Sequence, residues 1–235
     1  MKFLLLLVLG LFSCTHNYNT KVFNDYNVAE TQDDPVYHSV AHVIVLDKEK
    51  NIRSGGTAFA IQNVNNNTYF VSVHHLCLMR GKDVKLLPLP GKENLRRPFD
   101  GRVVYTSEQD DMCIIRAYDT GVQFVAMKFA QSNPLPGDKV FTIGAPSGAF
   151  PTKTDGYVVG HDLLGMVPDV TDYKQKLVTS VPVFQGNSGG PVYNESFEVV
   201  GMLSASHRRY SHSSLAIHYE SILKHLEVYF KKDFI

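Results

Sequence analysis

Apolar and polar residues alternate in short bursts along most of this chain, and the bursts are rich in β-branched and aromatic residues. Residues 40–46, 57–61, 69–73, 84–89, 102–105, 112–116, 139–143, 157–159, 176–181, 199–203 and 215–217 read as strands. A period of two residues turns one face of each strand toward a core and the other toward water. Gly, Pro, Asn and Asp punctuate the runs, and Asn63-Val64-Asn65-Asn66-Asn67 reads as a hairpin loop. Such spacing predicts a barrel or sandwich and not a succession of strand–helix units. The pattern changes near the C-terminus. Over 219–231, Ile222, Leu223, Leu226, Tyr229 and Phe230 recur at helical spacing. That stripe predicts one helix, docked on the second half of the strand array.

The first residues break the alternation. Lys2 gives a positive start, and residues 3–12 form an apolar core too short to span a bilayer comfortably. Leu11-Phe12-Ser13-Cys14 resembles a bacterial lipobox, which implies cleavage before Cys14 and diacylation of its thiol. Phe12 is not the usual residue of that motif, so a plain secretory signal is the alternative. Residues 1–13 are therefore expected to be a signal peptide and 14–36 a polar tether, with a globular domain over 37–235. Either version implies export, to a bacterial cell envelope (lipid-anchored or periplasmic) or as a secreted protein. Membrane contact is expected only through the lipid.

Composition narrows the partners. With 235 residues, 44% of them apolar, the domain can bury a core unaided. The formal net charge is zero, which does not favour nucleic acid as a partner. Three cysteines are too few for a disulfide framework. With Cys14 set aside, Cys77 and Cys113 are expected as separate buried thiols, because spacing alone does not establish the proximity a bridge requires.

The chemistry concentrates in Gly186-Asn187-Ser188-Gly189-Gly190-Pro191, a serine set among glycines between two apolar segments. A serine hydroxyl becomes a nucleophile when a base takes its proton and a tight turn exposes it. Backbone N–H groups of Gly186 and Ser188 could converge on a developing oxyanion. The pattern also satisfies the nucleophile elbow of α/β-hydrolases, but there the acid and then the histidine follow the serine. After Ser188 the only aspartate, Asp233, follows every histidine of that tail, and the strand–helix repeats are missing. The order histidine, acid, serine fits better. Thr68-Tyr69-Phe70-Val71-Ser72-Val73-His74-His75 delivers a histidine at a strand end. Asp110-Asp111-Met112-Cys113-Ile114-Ile115 places a carboxylate at the start of an apolar strand, where burial implies a partner. Asp110 suits the end of the turn from Ser107, so Asp111 is the candidate acid. His207, His212 and His218 alternate with Arg and Ser, and no metal site is read there.

In this order the segments resemble the chymotrypsin-like (trypsin-like) serine peptidases, most closely the Deg/HtrA-type protease domain without a PDZ module. Ser54-Gly55-Gly56-Thr57-Ala58-Phe59 resembles the G-[ST]-G-F strand, with Ala58 in place of its second glycine. Val71-Ser72-Val73-His74-His75-Leu76 resembles the histidine motif and selects His75 over His74. Asp111-Met112-Cys113-Ile114-Ile115 resembles the acid strand. Val140-Phe141-Thr142-Ile143-Gly144-Ala145-Pro146-Ser147-Gly148, Gly156-Tyr157-Val158-Val159-Gly160 and the block from Thr179 to Asn194 resemble the second-half motifs, and Val199-Val200-Gly201-Met202 resembles the strand lining the specificity pocket. The resemblance covers roughly residues 38–226.

It implies an all-β fold of two antiparallel six-stranded β-barrels, about 37–125 and about 135–218, followed by a C-terminal α-helix over about 219–231. It implies a serine endopeptidase with His75, Asp111 and Ser188 as catalytic residues, Gly186 and Ser188 as oxyanion donors, and no cofactor. A protein or peptide is the implied substrate. Pro182, Gln185, Met202, Leu203 and Ser204 are the implied substrate pocket. Pro182 stands about where trypsin carries an aspartate, so a small or medium apolar P1 residue is expected. Asn187 replaces the aspartate that pairs with a newly cut N-terminus in digestive members, so activity without that cleavage is expected. An inactive peptide-binding protein on the same fold, or an esterase using the same triad, are the competing readings.

Overall fold

Twelve strands close into two barrels, each built from six strands consecutive in the chain. The computed structural model describes residues 34–46, 52–78, 81–88, 98–118, 120, 123–162, 176–206 and 212–231. The expected signal peptide, Cys14 and the tether through residue 33 lie outside the described residues, as does His207. The first barrel comprises β1 (Val40–Leu46), β2 (Ile52–Val64), β3 (Asn67–Ser72), β4 (Asp83–Leu87), β5 (Phe99–Ser107) and β6 (Met112–Tyr118), paired in the order β1-β2-β3-β6-β5-β4. The second comprises β7 (Lys139–Gly144), β8 (Thr152–Asp162), β9 (Lys176–Thr179), β10 (Pro191–Tyr193), β11 (Val199–Ser206) and β12 (Ser214–His218), in the order β10-β11-β12-β9-β8-β7. Closure leaves neither sheet with a free edge, so backbone donors and acceptors pair all round. This is the all-β, two-barrel architecture the sequence implied.

Most strands run longer than expected, β2, β5 and β8 by several residues, and β2 and β3 reach into the expected loop 63–67 so that the turn there is Asn65-Asn66. β10 was not foreseen: three residues, all buried, show no alternation to read. β9 ends at Thr179 and not at Val181, whose N–H turns to the Thr179 hydroxyl at 3.4 Å.

One apolar cluster fills the first barrel and continues between the barrels, joining Phe59, Phe70, Ile114 and Ile115 to Ile143, Tyr193 and Met202. Val140, Leu177, Val192 and Leu203 centre the interior of the second. The connection after β6 is laced to both. Met127 N–H donates to the Ala60 carbonyl at 2.9 Å, and Ala130 N–H to the Val199 carbonyl at 3.0 Å.

The helix α2 (Tyr219–Phe230) does not dock on the second barrel alone. It starts at the end of β12, but its apolar stripe is wide enough to meet both barrels. Ile222 and Leu226 join the cluster that fills the first barrel. Phe230 packs edge-on against Tyr69 of β3, with ring centroids 4.9 Å apart.

The lead-in to β1 is also ordered. Residues 34–36 belong to the expected tether, yet Asp34 is only 8% exposed. Its side chain accepts hydrogen bonds from Val36 N–H at 2.9 Å, Tyr193 Oη at 2.7 Å and Lys153 Nζ at 2.6 Å. Burial and this carboxylate push the Tyr193 hydroxyl pKa far up.

Candidate active site

β3 ends at the one-turn helix α1 (His74–Cys77), which carries His75, and the turn between β5 and β6 carries Asp111. Antiparallel pairing sets Ser72 opposite Cys113, which brings the end of β3 beside the start of β6. His75 Nδ1 lies 3.0 Å from both Oδ1 and Oδ2 of Asp111. The His75 backbone N–H donates to Oδ1 at 3.0 Å, and Ser204 Oγ donates to Oδ2 at 2.6 Å. Asp111 adopts φ +53°, a conformation that Asp tolerates better than most residues.

These bonds set the charge of the carboxylate. Burial by itself would raise its pKa. Hydrogen bonds from the His75 ring, the Ser204 hydroxyl and the His75 backbone, with attraction to the ring, outweigh burial and hold it below the usual carboxylate range. An ionised carboxylate facing Nδ1 keeps the neutral ring's proton there, so Nε2 is the acceptor. Asp110 points elsewhere: its Oδ2 lies 2.8 Å from His225 Nε2 of α2 and 3.3 Å from Ser107 Oγ. His225 Nδ1 in turn faces Tyr105 Oη at 2.7 Å.

Ser188 lies on the loop between β9 and β10. The loop folds through Gly186 at φ +106° and Gly189 at φ +86°. A Cβ at Gly186 would meet the Ala145 carbonyl oxygen at 2.0 Å, and one at Gly189 would meet that of Thr57 at 2.1 Å, so both positions require glycine. The Ser188 hydroxyl donates to the Ser204 carbonyl at 3.2 Å. Among the described residues no hydrogen bond joins it to His75. Ser204 instead links the two halves of the site, its hydroxyl on Asp111 and its carbonyl on Ser188. Within the loop, Asn187 N–H donates to Phe184, Gly189 N–H to Leu203 and Gly190 N–H to Asn187. The N–H groups of Gly186 and Ser188 have no hydrogen-bond acceptor among the described residues.

The expected pocket residues divide. Pro182 and Gln185 are exposed, and Ser204 lies at the site. Met202 and Leu203 are both 0% exposed, packed in the two apolar cores, and offer no surface to a substrate. β11 is buried on both faces up to Ser204, which a run of apolar residues does not distinguish from a pocket wall.

The cysteines also differ from expectation. Cys77 and Cys113 form a disulfide with Cα atoms 6.5 Å apart. The Ser72–Cys113 register and the fold-back of α1 bring together sulfurs separated by 36 residues, a proximity spacing could not show.

Two closed antiparallel barrels of six strands each are a fold of the chymotrypsin-like class. Residues 42–202 match the family described as trypsin-like peptidase domain, and the chain belongs to that family. It is 27% identical over 164 residues to a "probable periplasmic serine endoprotease DegP-like" of Pseudomonas fluorescens, covering 69% of this chain and 32% of that protein. It is 32% identical over 110 residues to the periplasmic serine endoprotease DegP of Salmonella typhimurium, covering 46% of this chain and 22% of the relative. The chain thus spans about a third or less of the length of these relatives. Among solved structures, the Rv3671c protease from Mycobacterium tuberculosis in its active form superposes with TM-score 0.67 at 18% identity, over 81% of this chain and 80% of that one. A serine endoprotease from Yersinia pestis superposes with TM-score 0.66 at 19% identity, over 86% and 67%. At such identities the likeness is one of fold.

Proposed function

We propose that this chain is a serine endopeptidase that hydrolyses peptide bonds of protein or peptide substrates through an acyl-enzyme intermediate. The observation that carries the reading is the Asp111–His75 pair, an ionised carboxylate 3.0 Å from Nδ1, linked through Ser204 to Ser188. His75 Nε2 takes the Ser188 proton as Oγ attacks the scissile carbonyl, and the same proton then goes to the leaving amine. Asp111 orients the ring and stabilises its charged form. The N–H groups of Gly186 and Ser188 meet the oxyanion. Water then attacks the ester by the same route in reverse. The Ser188 hydroxyl must leave the Ser204 carbonyl for His75, a tightening expected when substrate fills a site.

Pro182, Gln185 and Ser204 remain as pocket candidates. None is acidic, which supports a small or medium apolar P1 residue. Matched relatives are described as periplasmic, which supports an exported protein in the bacterial envelope. An apolar leader, either a plain secretory signal or one ending in a lipidated Cys14, is the proposed means.

Labelling with a fluorophosphonate, beside digestion of casein and of a small ester, tests the reading. Wild type should label and digest casein, and Ser188→Ala should do neither. A folded wild type that does not label is instead a peptide-binding protein on this fold. Ester turnover without casein cleavage identifies an esterase. A peptide-library digest should show cleavage after small or medium apolar residues, and a strong preference for Arg would overturn that assignment.

A further inference from the structure

An oxyanion donor acts only if its peptide plane faces the right way. A trans peptide carries its C=O and N–H on opposite sides, so whatever holds the Gln185 carbonyl also aims the Gly186 N–H. Here Ser147 N–H donates to the Gln185 carbonyl at 2.7 Å. Ser147 sits in the short 3-10 turn Pro146–Gly148, at φ +51°. A left-handed non-glycine residue is strained and persists where its surroundings over-determine it.

Thr57, on β2 of the opposite barrel, supplies that determination. Its side chain is 0% exposed, and both hydrogen-bonding capacities of its hydroxyl are used. Oγ1 accepts from Ala145 N–H at 3.1 Å, at the entrance to the turn, and donates to the Gly186 carbonyl at 2.9 Å. Thr57 N–H donates to the Ser188 carbonyl at 2.9 Å, and its own carbonyl accepts from Ser72 Oγ at 2.7 Å. The Ala145 carbonyl lies so near Gly186 that a Cβ there would come within 2.0 Å. One buried hydroxyl therefore ties the turn that holds the Gln185 carbonyl to the peptide that follows Gly186.

We propose that Thr57 is a positioning residue for hydrolysis: through the 145–148 turn and the Gly186 carbonyl, it aims the Gly186 N–H at the reacting carbonyl. This inference rests on the peptidase reading. Thr57 touches no substrate and acts through backbone on the far side of the barrel interface.

The test compares wild type with Thr57→Val, Thr57→Ala and Thr57→Ser in kcat and KM on a chromogenic peptide. Affinities for a peptidyl boronic acid, which mimics the tetrahedral intermediate, and for the N-terminal product peptide are measured beside them. Thr57→Val should lose on the order of 10²-fold in kcat, the scale of a misplaced oxyanion donor, with little change in KM. Boronate affinity should fall with kcat while product affinity holds. Thr57→Ser, which keeps the hydroxyl, should recover most of both. Thr57→Ala is read in the same way and covers failure of the valine variant to fold. A folded Thr57→Val or Thr57→Ala with wild-type kcat and boronate affinity overturns the inference. So does a parallel loss of boronate and product affinity, which marks a merely structural role. Wild type that neither turns over nor labels overturns the peptidase reading instead.

Discussion

Asp111 shows how much a single side chain depends on groups far away in the chain. Its carboxylate is held by His75 and by Ser204, the latter 93 positions onward. Because the folded carboxyl releases its proton more readily than the unfolded one, unfolding takes up a proton in the acid range. The stability this group contributes is complete above the ordinary carboxylate pKa and is lost as pH falls through the lower folded value. Urea denaturation across that range should show a steep acid limb in wild type and a flatter one in Asp111→Asn. The same variant should lose about 10⁴-fold in kcat, since an amide no longer enforces the required tautomer. At this scale the sequence was informative where a local pattern singles out a residue. Gly186-Asn187-Ser188-Gly189-Gly190 and the position of Asp111 ahead of an apolar run were visible. The bracing by Ser204 and Thr57 was not, because a hydroxyl bond across 93 or 129 residues leaves no mark on neighbouring positions.

Among elements, α1 is joined both to β6 and to the turn that precedes it. His75 meets Asp111 by hydrogen bonds, and Cys77 meets Cys113 covalently. Each cysteine lies two residues beyond its partner in the site. Closing a segment of 36 residues restricts the unfolded chain and stabilises the fold by about 2–4 kcal/mol. Dithiothreitol, or Cys77→Ala with Cys113→Ala, should therefore lower the melting temperature. If the melting temperature is unchanged by reduction, the bridge contributes nothing to the fold. The last helix makes a further connection. His225 of α2 bridges Tyr105 of β5 and Asp110, the neighbour of Asp111. Helical spacing foretold α2 correctly, but its docking across both barrels depends on which surfaces lie within reach, and only the folded chain supplies those.

For the whole molecule, alternation predicted a barrel or sandwich, because a period of two assigns faces without knowledge of partners, and the family resemblance of the ordered motifs implied two barrels. They did not separate pocket from core at Met202 and Leu203, where both faces of β11 are covered. Nor did they mark residues 34–36 as part of the domain, since Asp34 is a polar residue whose burial is explained only by Tyr193 and Lys153. The hydroxyl of Thr57 bonds backbone groups of the opposite barrel, at Ala145 and Gly186. A slight parting of the halves would therefore silence turnover while both barrels kept their ladders. On slow heating, cleavage should fade several degrees before circular dichroism registers melting, and cooling from that interval should revive it at once. The protein would then be a thermometer of its own seam, inactivated by warmth long before it is destroyed by it.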